Sequence, residues 1–279
     1  MAGAPTDADA DQLALAGLWT PPRPPAAASG ERATGEAPLI LNLESYVRLS
    51  PDEHAALRRI SRIQRRVEPR ADLIREGDES RYVHLVLSGW GCRHKTLPDG
   101  RRQVLAFLLP GDFCNLNMYL LKEMDHSVGA ITRLCVAEIA RDEIEAATAA
   151  SPRLAAALWW HELEQAAIQR EWTLNVGQRS ALERVAHLFV ELFLRLRAVG
   201  LTEGDSCDFP LTQCDIADAI GVSSVHVNRV IQELRRAGLV VLGGRTLTIP
   251  DLPALKQAAL FNPKYLHLDR EGRTLDAID

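Results

Sequence analysis

The sequence predicts an α+β protein in three parts: an N-terminal antiparallel β-roll, a long helix, and a C-terminal helix-turn-helix with a β-hairpin wing. Three observations predict it. Short β-prone runs alternate with glycine turns from Leu73 to about Ile139. A stretch of helical tendency follows from Ala140 to Gly177. Residues Leu211 to Val240, LTQCDIADAIGVSSVHVNRVIQELRRAGLV, then read as two short helices joined by a turn. A chain of 279 residues suggests two packed domains.

Residues 1–38, with PPRPPAAASGERATGEAP, show no hydrophobic period and read as a disordered tail. The roll is expected over 39–150. A short helix opens it at Ser50-Pro51-Asp52-Glu53, with serine as cap, proline in the first turn and acids behind it. The turns of the roll fall at Glu76-Gly77-Asp78, Ser88-Gly89, Pro98-Asp99-Gly100 and Pro110-Gly111-Asp112. Strand-length runs at that spacing close into an antiparallel roll or barrel.

The long helix is expected over 151–178. Ala156, Trp160, Leu163, Ala167, Arg170 and Leu174 recur at spacings of four and three, a seam suited to a second copy of the helix. Packing against its own β-domain is the alternative. Gly177 and Gln178 suggest a hinge. Beyond it, Val185, Leu188, Phe189, Leu192 and Leu196 share one face of a helix from Ser180 to Ala198.

The winged unit is expected over 179–260, with a C-terminal tail over 261–279. Thr212 and Asp215 form a capping box, and Ser223 caps the second helix. Ala217 is small where two crossing helices touch. Gly221 supplies the positive φ of the turn. Val227 and Val230 face inward, with Ile216, Ile220 and Val222 completing a small core. Arg235, Arg236 and Gly238 end the second helix. LVVLGGRTLTI then gives two β-runs joined by Gly243-Gly244.

Net charge is −5, but residues 1–40 hold −3 of it. Residues 222–250 carry a local +3, from Arg229, Arg235, Arg236 and Arg245 against Glu233. A modest basic face predicts modest, salt-sensitive phosphate binding. No apolar run reaches membrane-spanning length, and the acidic start does not look like a secretory signal. The five cysteines, at 92, 114, 135, 207 and 214, form no CxxC pair. Neither a disulfide framework nor a zinc site is expected, and a cytoplasmic location fits. The sequence has no Walker-type phosphate loop, no GxSxG and no HExxH, so no catalytic or metal-ligating residue is assigned.

LIREGDESRYVHLVLSGWG, PDGRRQVLAFLLPGDFCNL and GVSSVHVNRVIQELRRAGLV, in that order, resemble the CRP/FNR family of bacterial transcription regulators. The resemblance covers about residues 40–260. It implies a roll like that of cyclic-nucleotide-binding (cupin-like) domains, a dimer formed by the long helices, and paired recognition helices on a palindromic DNA operator. RNA polymerase is a further implied partner; a dimeric interaction module that does not read DNA is the alternative.

The DNA-contact candidates are Thr212, Ser223, Ser224, Val225, His226, Asn228, Arg229 and Arg245. The resemblance implies that Arg229 reads a guanine, since a guanidinium matches O6 and N7 together. The best-known members have glutamate where this chain has Val225. Valine suits a thymine methyl, so a different operator is expected. Asn228 suits adenine or a phosphate, and Ser224 and His226 suit phosphate.

The family's cyclic-AMP site uses Gly-Glu after the GDF turn and Arg-Ser further on. Here Asn115-Leu116 and His126-Ser127 stand there, and only the serine matches. Cyclic AMP is therefore not expected. An iron–sulfur cluster is not expected either, because no cysteine precedes Cys92. Haem is likewise not expected, although His84, His94 and His126 are available as ligands. Cys114, Asn115, Asn117, His126 and Ser127 are the candidate lining of an effector pocket. A thiol signal at Cys114 and a roll that binds nothing stay open.

Overall fold

The computed structural model describes residues 36–116 and 120–268. The chain enters with α1 (Glu36–Glu44), which begins inside the stretch expected to be a tail. Residues 1–35 of that stretch lie outside the described residues. Leu39 and Leu43 of α1 are buried against the roll, which accounts for helix where composition suggested none. Helix α2 (Pro51–Ile60) starts as expected. Ser50 Oγ accepts from the Glu53 amide, and the Glu53 carboxylate accepts from the Ser50 amide at 2.6 Å.

Seven strands follow: β1 (Gln64–Val67), β2 (Asp72–Ile74), β3 (Tyr82–Ser88), β4 (Gly91–Thr96), β5 (Arg102–Leu108), β6 (Ser127–Ala130) and β7 (Leu134–Ala140). They form two antiparallel sheets, β1-β7-β3 and β2-β6-β4-β5. Val86, Leu108, Val128, Leu134 and Val136 fill the space between them. β1 lies outside the expected strand region. Its QRRV is exposed at three of four positions, so it lacks the alternation that marks a half-buried strand. The turns fall where glycine predicted them. Gly111 has φ +96, and a Cβ there would lie 2.8 Å from the Pro38 carbonyl, so the turn and the entry of α1 fit together only with glycine.

Helix α3 (Arg141–Ala150) leads into α4 (Pro152–Gln178), which at 27 residues is about 40 Å long. Ser151 caps α4 by accepting from the Leu154 amide. Leu154, Ala157, Leu158, His161, Ile168 and Trp172 face the protein. The outward apolar stripe differs from the expected seam. Trp160 packs on Tyr46, and Ala167 is buried, whereas Trp159 is 68% and Leu163 57% exposed, with Leu174 exposed beyond them. The free seam is thus Trp159, Leu163 and Leu174, with Ala166 and Arg170 between them. Two of its expected members were taken by the intrachain face of a helix that is apolar on both sides.

The break comes at Arg179-Ser180, slightly beyond the expected hinge at Gly177-Gln178, which remains helical. Arg179 is extended, and its side chain donates to Glu171 and to the Leu260 carbonyl, so this corner is tied down. Helix α5 (Ala181–Ala198) is buried without interruption from Val185 to Leu196. It lies between the roll with α4 on one side and the rest of the winged unit on the other. Phe107 against Trp172, Trp90 against Phe209 and Phe189 against Phe209 make one continuous aromatic core through it.

The winged unit consists of α5, α6 (Gln213–Ile220), α7 (Ser224–Arg236), α8 (Leu252–Ala258) and a four-stranded sheet. The sheet runs β10 (Val241–Gly243), β11 (Thr246–Thr248), β9 (Ser206–Asp208), β8 (Thr202–Glu203). The β8–β9 hairpin was too short to show as an alternating run. The wing turn is Gly244-Arg245 rather than Gly243-Gly244, because Gly243 pairs with Thr246 in the ladder. Both turn residues have positive φ, +58 and +66, as this hairpin type demands. The segment expected as a C-terminal tail packs in its first part: Leu266 is buried and Tyr265 donates to Glu191 at 2.7 Å. Residues 269–279 lie outside the described residues.

Candidate nucleic-acid interface

Helix α6 is started by Thr212, whose side chain accepts from the Asp215 amide while Asp215 accepts from the Thr212 amide and hydroxyl. Gly221 ends α6 at φ +72. Ser223 then caps α7 by accepting from the His226 amide. Ala217 is buried at the crossing. Val227, Val230, Ile231 and Leu234 form the buried face of α7, and this inward stripe sets what the opposite face presents.

That opposite face holds Val225, Asn228 and Arg229, all exposed, with Ser224 and His226 half-buried beside them. Val225 is 71% exposed, an apolar side chain standing in water at the helix start. Arg229 forms no ion pair among the described residues and is free to meet a ligand. Arg245 stands at the tip of the wing with an exposed side chain. Thr212 and Ser223 are exposed at the N-termini of the two helices, where amide groups suit phosphate. The expected DNA-contact residues therefore lie on the two helix starts, the outer face of α7 and the wing tip. Sequence reasoning missed Gln213, the first residue of α6, whose amide donates to Asn228 Oδ1 at 3.2 Å.

The unit is fastened to the roll through α6. Arg70 donates twice to Asp215, at 2.5 and 2.9 Å. Asp215 is almost fully buried; burial would raise its carboxyl, but Arg70 and Thr212 outweigh it and hold the carboxyl below the usual range. Gln103 donates to the Ala219 carbonyl, and Arg102 lies 3.7 Å from Asp218. Asp215 looked like a local cap in the sequence; it is also the roll's anchor point. Nothing in a linear reading pairs it with Arg70, 145 residues away.

A polar stripe runs through the buried helix α5: His187, Glu191 and Arg195 at intervals of four. Arg195 donates to Asp112 of the roll at 2.6 Å and to the Phe107 carbonyl. Glu191 accepts from Trp172 Nε1 at 2.9 Å and from Tyr265. Burial would lower the Arg195 guanidinium's pKa, yet the surrounding Asp112, Glu191 and Glu164 raise it. Glu164 accepts from Tyr46 of the segment after α1, and burial pushes its carboxyl up to about 7. The i, i+4, i+8 spacing was visible beside the apolar face and is the signal that would have found this stripe.

Residues 64–151 match the family model of the cyclic nucleotide-binding domain, and residues 183–258 match that of the Crp-like helix-turn-helix domain. The nitrogen fixation regulation protein FixK of Bradyrhizobium diazoefficiens is 30% identical over 200 residues, 70% of this chain and 83% of that protein. The transcriptional activator protein FnrL of Cereibacter sphaeroides is 29% identical, over 76% of this chain and 86% of that protein. The chain belongs to the CRP/FNR family of transcription regulators.

The solved structure of FixK2 from Bradyrhizobium japonicum agrees, with a TM-score of 0.63 at 26% identity over 70% of this chain and 96% of that one. This CRP/FNR protein is a DNA-binding regulator built as a roll, a long helix and a winged helix-turn-helix. Its roll uses the candidate pocket residues in its own way. Asn115 accepts from the His84 amide at 2.8 Å and donates to Ser80 Oγ and to the Tyr82 carbonyl, so its amide serves β3. Cys114 is fully buried in the core between the sheets, and burial pushes its thiol up to about 12. Ser127 accepts from the Glu76 amide, and His126 pairs with Asp125 at 2.6 Å. Asn117 lies outside the described residues. The cavities described around the molecule have other linings. One of about 600 Å³ lies between α3 and α4, against Leu116, Leu120, Leu158 and Trp159.

Proposed function

We propose that this regulator works as a cytoplasmic homodimer that reads a palindromic operator with half-sites one helical turn, about 34 Å, apart. The observation that carries it is the two-sided α7: Val227, Val230 and Ile231 locked inward, Val225, Asn228 and Arg229 presented outward. The apolar stripe of Trp159, Leu163 and Leu174 on α4 supports the dimer, because a two-fold operator needs a two-fold reader and this stripe runs about 22 Å along the helix. FnrL is described as a transcriptional activator. By that likeness, RNA polymerase is the partner through which bound protein would act.

Its output is binding, not catalysis. Cyclic AMP, an iron–sulfur cluster and haem are not its signals in this reading. Asn115 stands in the family's phosphate cassette with its amide already committed to β3, and His84 and His94 are buried beside Glu138 and Asp72. A signal reaching the roll would pass to α6 through Arg70, Arg102 and Gln103. Any effector must bind one roll–α6 arrangement better than the other to act this way.

Replacing Arg229 with alanine is expected to cost about 1–3 kcal/mol of operator affinity and to relax one base position in each half-site. Binding titrations against operators varied at each position check this. Equal weakening on every sequence would make Arg229 a phosphate contact instead.

A further inference from the structure

The amide pair Gln213–Asn228 carries a consequence for base choice. It rests on α7 being the base-reading helix. Gln213 is held at the start of α6 by the Thr212–Asp215 capping box, and Asp215 is held in turn by Arg70. Asn228 is held by the buried neighbours Val227, Val230 and Ile231. Both side chains are exposed, and Gln213 Nε2 donates to Asn228 Oδ1 at 3.2 Å. A free asparagine amide turns either edge outward, its oxygen or its NH2. The hydrogen bond removes that choice by turning Oδ1 toward α6 and Nδ2 away from it.

In the major groove the choice corresponds to a chemical division of the bases. Guanine O6 and thymine O4 are keto acceptors; adenine N6 and cytosine N4 are amino donors. A free asparagine suits adenine, because it offers oxygen and NH2 together. Here Gln213 occupies the oxygen side. We propose that Gln213 is a specificity-determining residue that acts through Asn228, fixing its NH2 toward the groove so that one position of each half-site selects a keto base. Substitution Gln213→Glu removes the donor. The carboxylate then accepts from Nδ2, the Asn228 amide turns over, and its oxygen faces the groove. The selected base should change from keto to amino.

The test is selection of operators from randomised duplex DNA by the full-length protein, comparing wild type with Gln213→Ala, Gln213→Glu and Asn228→Ala. Base frequency at one symmetric position is read, not affinity, since the added carboxylate weakens binding to every sequence. Wild type should prefer guanine or thymine there by roughly five- to tenfold. Gln213→Glu should prefer adenine or cytosine. Gln213→Ala should shift the preference toward adenine, because the freed amide again offers both of its edges, and Asn228→Ala should lose the distinction at that position alone. If Asn228→Ala changes the position while both Gln213 variants match wild type, Gln213 has no such role, although Asn228 is still a base reader. If Asn228→Ala selects the wild-type sequence throughout, the base-reading role of Asn228 fails and the proposal with it. An amino preference in the wild type, kept in Gln213→Glu, means that the pair is bonded in the opposite sense and overturns the proposal.

Discussion

Replacing Arg195 with leucine is expected to destabilise the folded protein by about 3–5 kcal/mol. Arg195 is buried, and it bonds to Asp112 of the roll and lies 4.0 Å from Glu191 on its own helix. Removing the guanidinium leaves two buried carboxylates facing each other's field without a counter-charge. Desolvation, rather than lost attraction, sets the size of the effect. Urea unfolding of the wild type, Arg195→Leu, Asp112→Asn and the double variant measures it. The double variant should lose clearly less than the sum of the two single ones, because the pair is one unit. A single-variant cost below about 1 kcal/mol would contradict the buried pair. The functional corollary follows from where the pair sits. It joins the turn of the roll to the first helix of the winged unit, so its loss should also loosen the arm by which the roll positions α7.

The second large effect depends on pH. Burial raises the Glu164 carboxyl from the usual 4.5 to about 7. A carboxyl whose folded pKa lies above its unfolded one binds more protons when folded between those values. Its contribution is therefore present below about pH 4.5 and is lost as pH rises through about 7. The shift corresponds to about 3 kcal/mol. Tyr46, Arg195, Asp112 and Glu191 surround the group, and all remain in a Glu164→Gln variant. The stability of wild type minus that of Glu164→Gln should thus fall by about 3 kcal/mol between pH 4 and pH 8. His161 gives an opposing slope in both proteins. Burial lowers its imidazole to about 4, so its contribution is present above pH 6.5 and lost as pH falls toward 4. In the wild type the two slopes offset each other between about pH 4.5 and 6.5. In Glu164→Gln the histidine slope should emerge alone. A difference between the two proteins that does not vary with pH would show that Glu164 titrates in its ordinary range.

The elements that were legible in the sequence are those whose signals are local. Thr212, Asp215, Gly221 and Ser223 cap and turn the chain with atoms no more than four residues away, so the helix-turn-helix could be read directly. The inward face of α7 is a simple period. The glycine turns of the roll were legible for the same reason. What stayed hidden is long-range or depends on competition between faces. β1 is an edge strand of exposed arginines, recognisable only through its partner β7. Trp160 and Trp159 are adjacent tryptophans on one helix, and the distant rings of Tyr46 and His267, which pack on Trp160, decide which of them turns inward. The second role of Asp215, as the site that Arg70 grips, spans 145 residues. The same holds for the candidate interface. Val225, Asn228 and Arg229 follow from the helix period, but Gln213 reaches Asn228 only across two folded helices.

Two copies of α7, held by a dimer, are expected to read one symmetric operator. Hydroxyl-radical footprinting on an operator selected from randomised duplex tests it most directly, with the mass of the complex taken from sedimentation. Two protected segments related by two-fold symmetry, their centres one helical turn apart, bound by two protein chains, are the predicted result. A single unsymmetric footprint from one chain, or no selected sequence at low salt, would contradict the account.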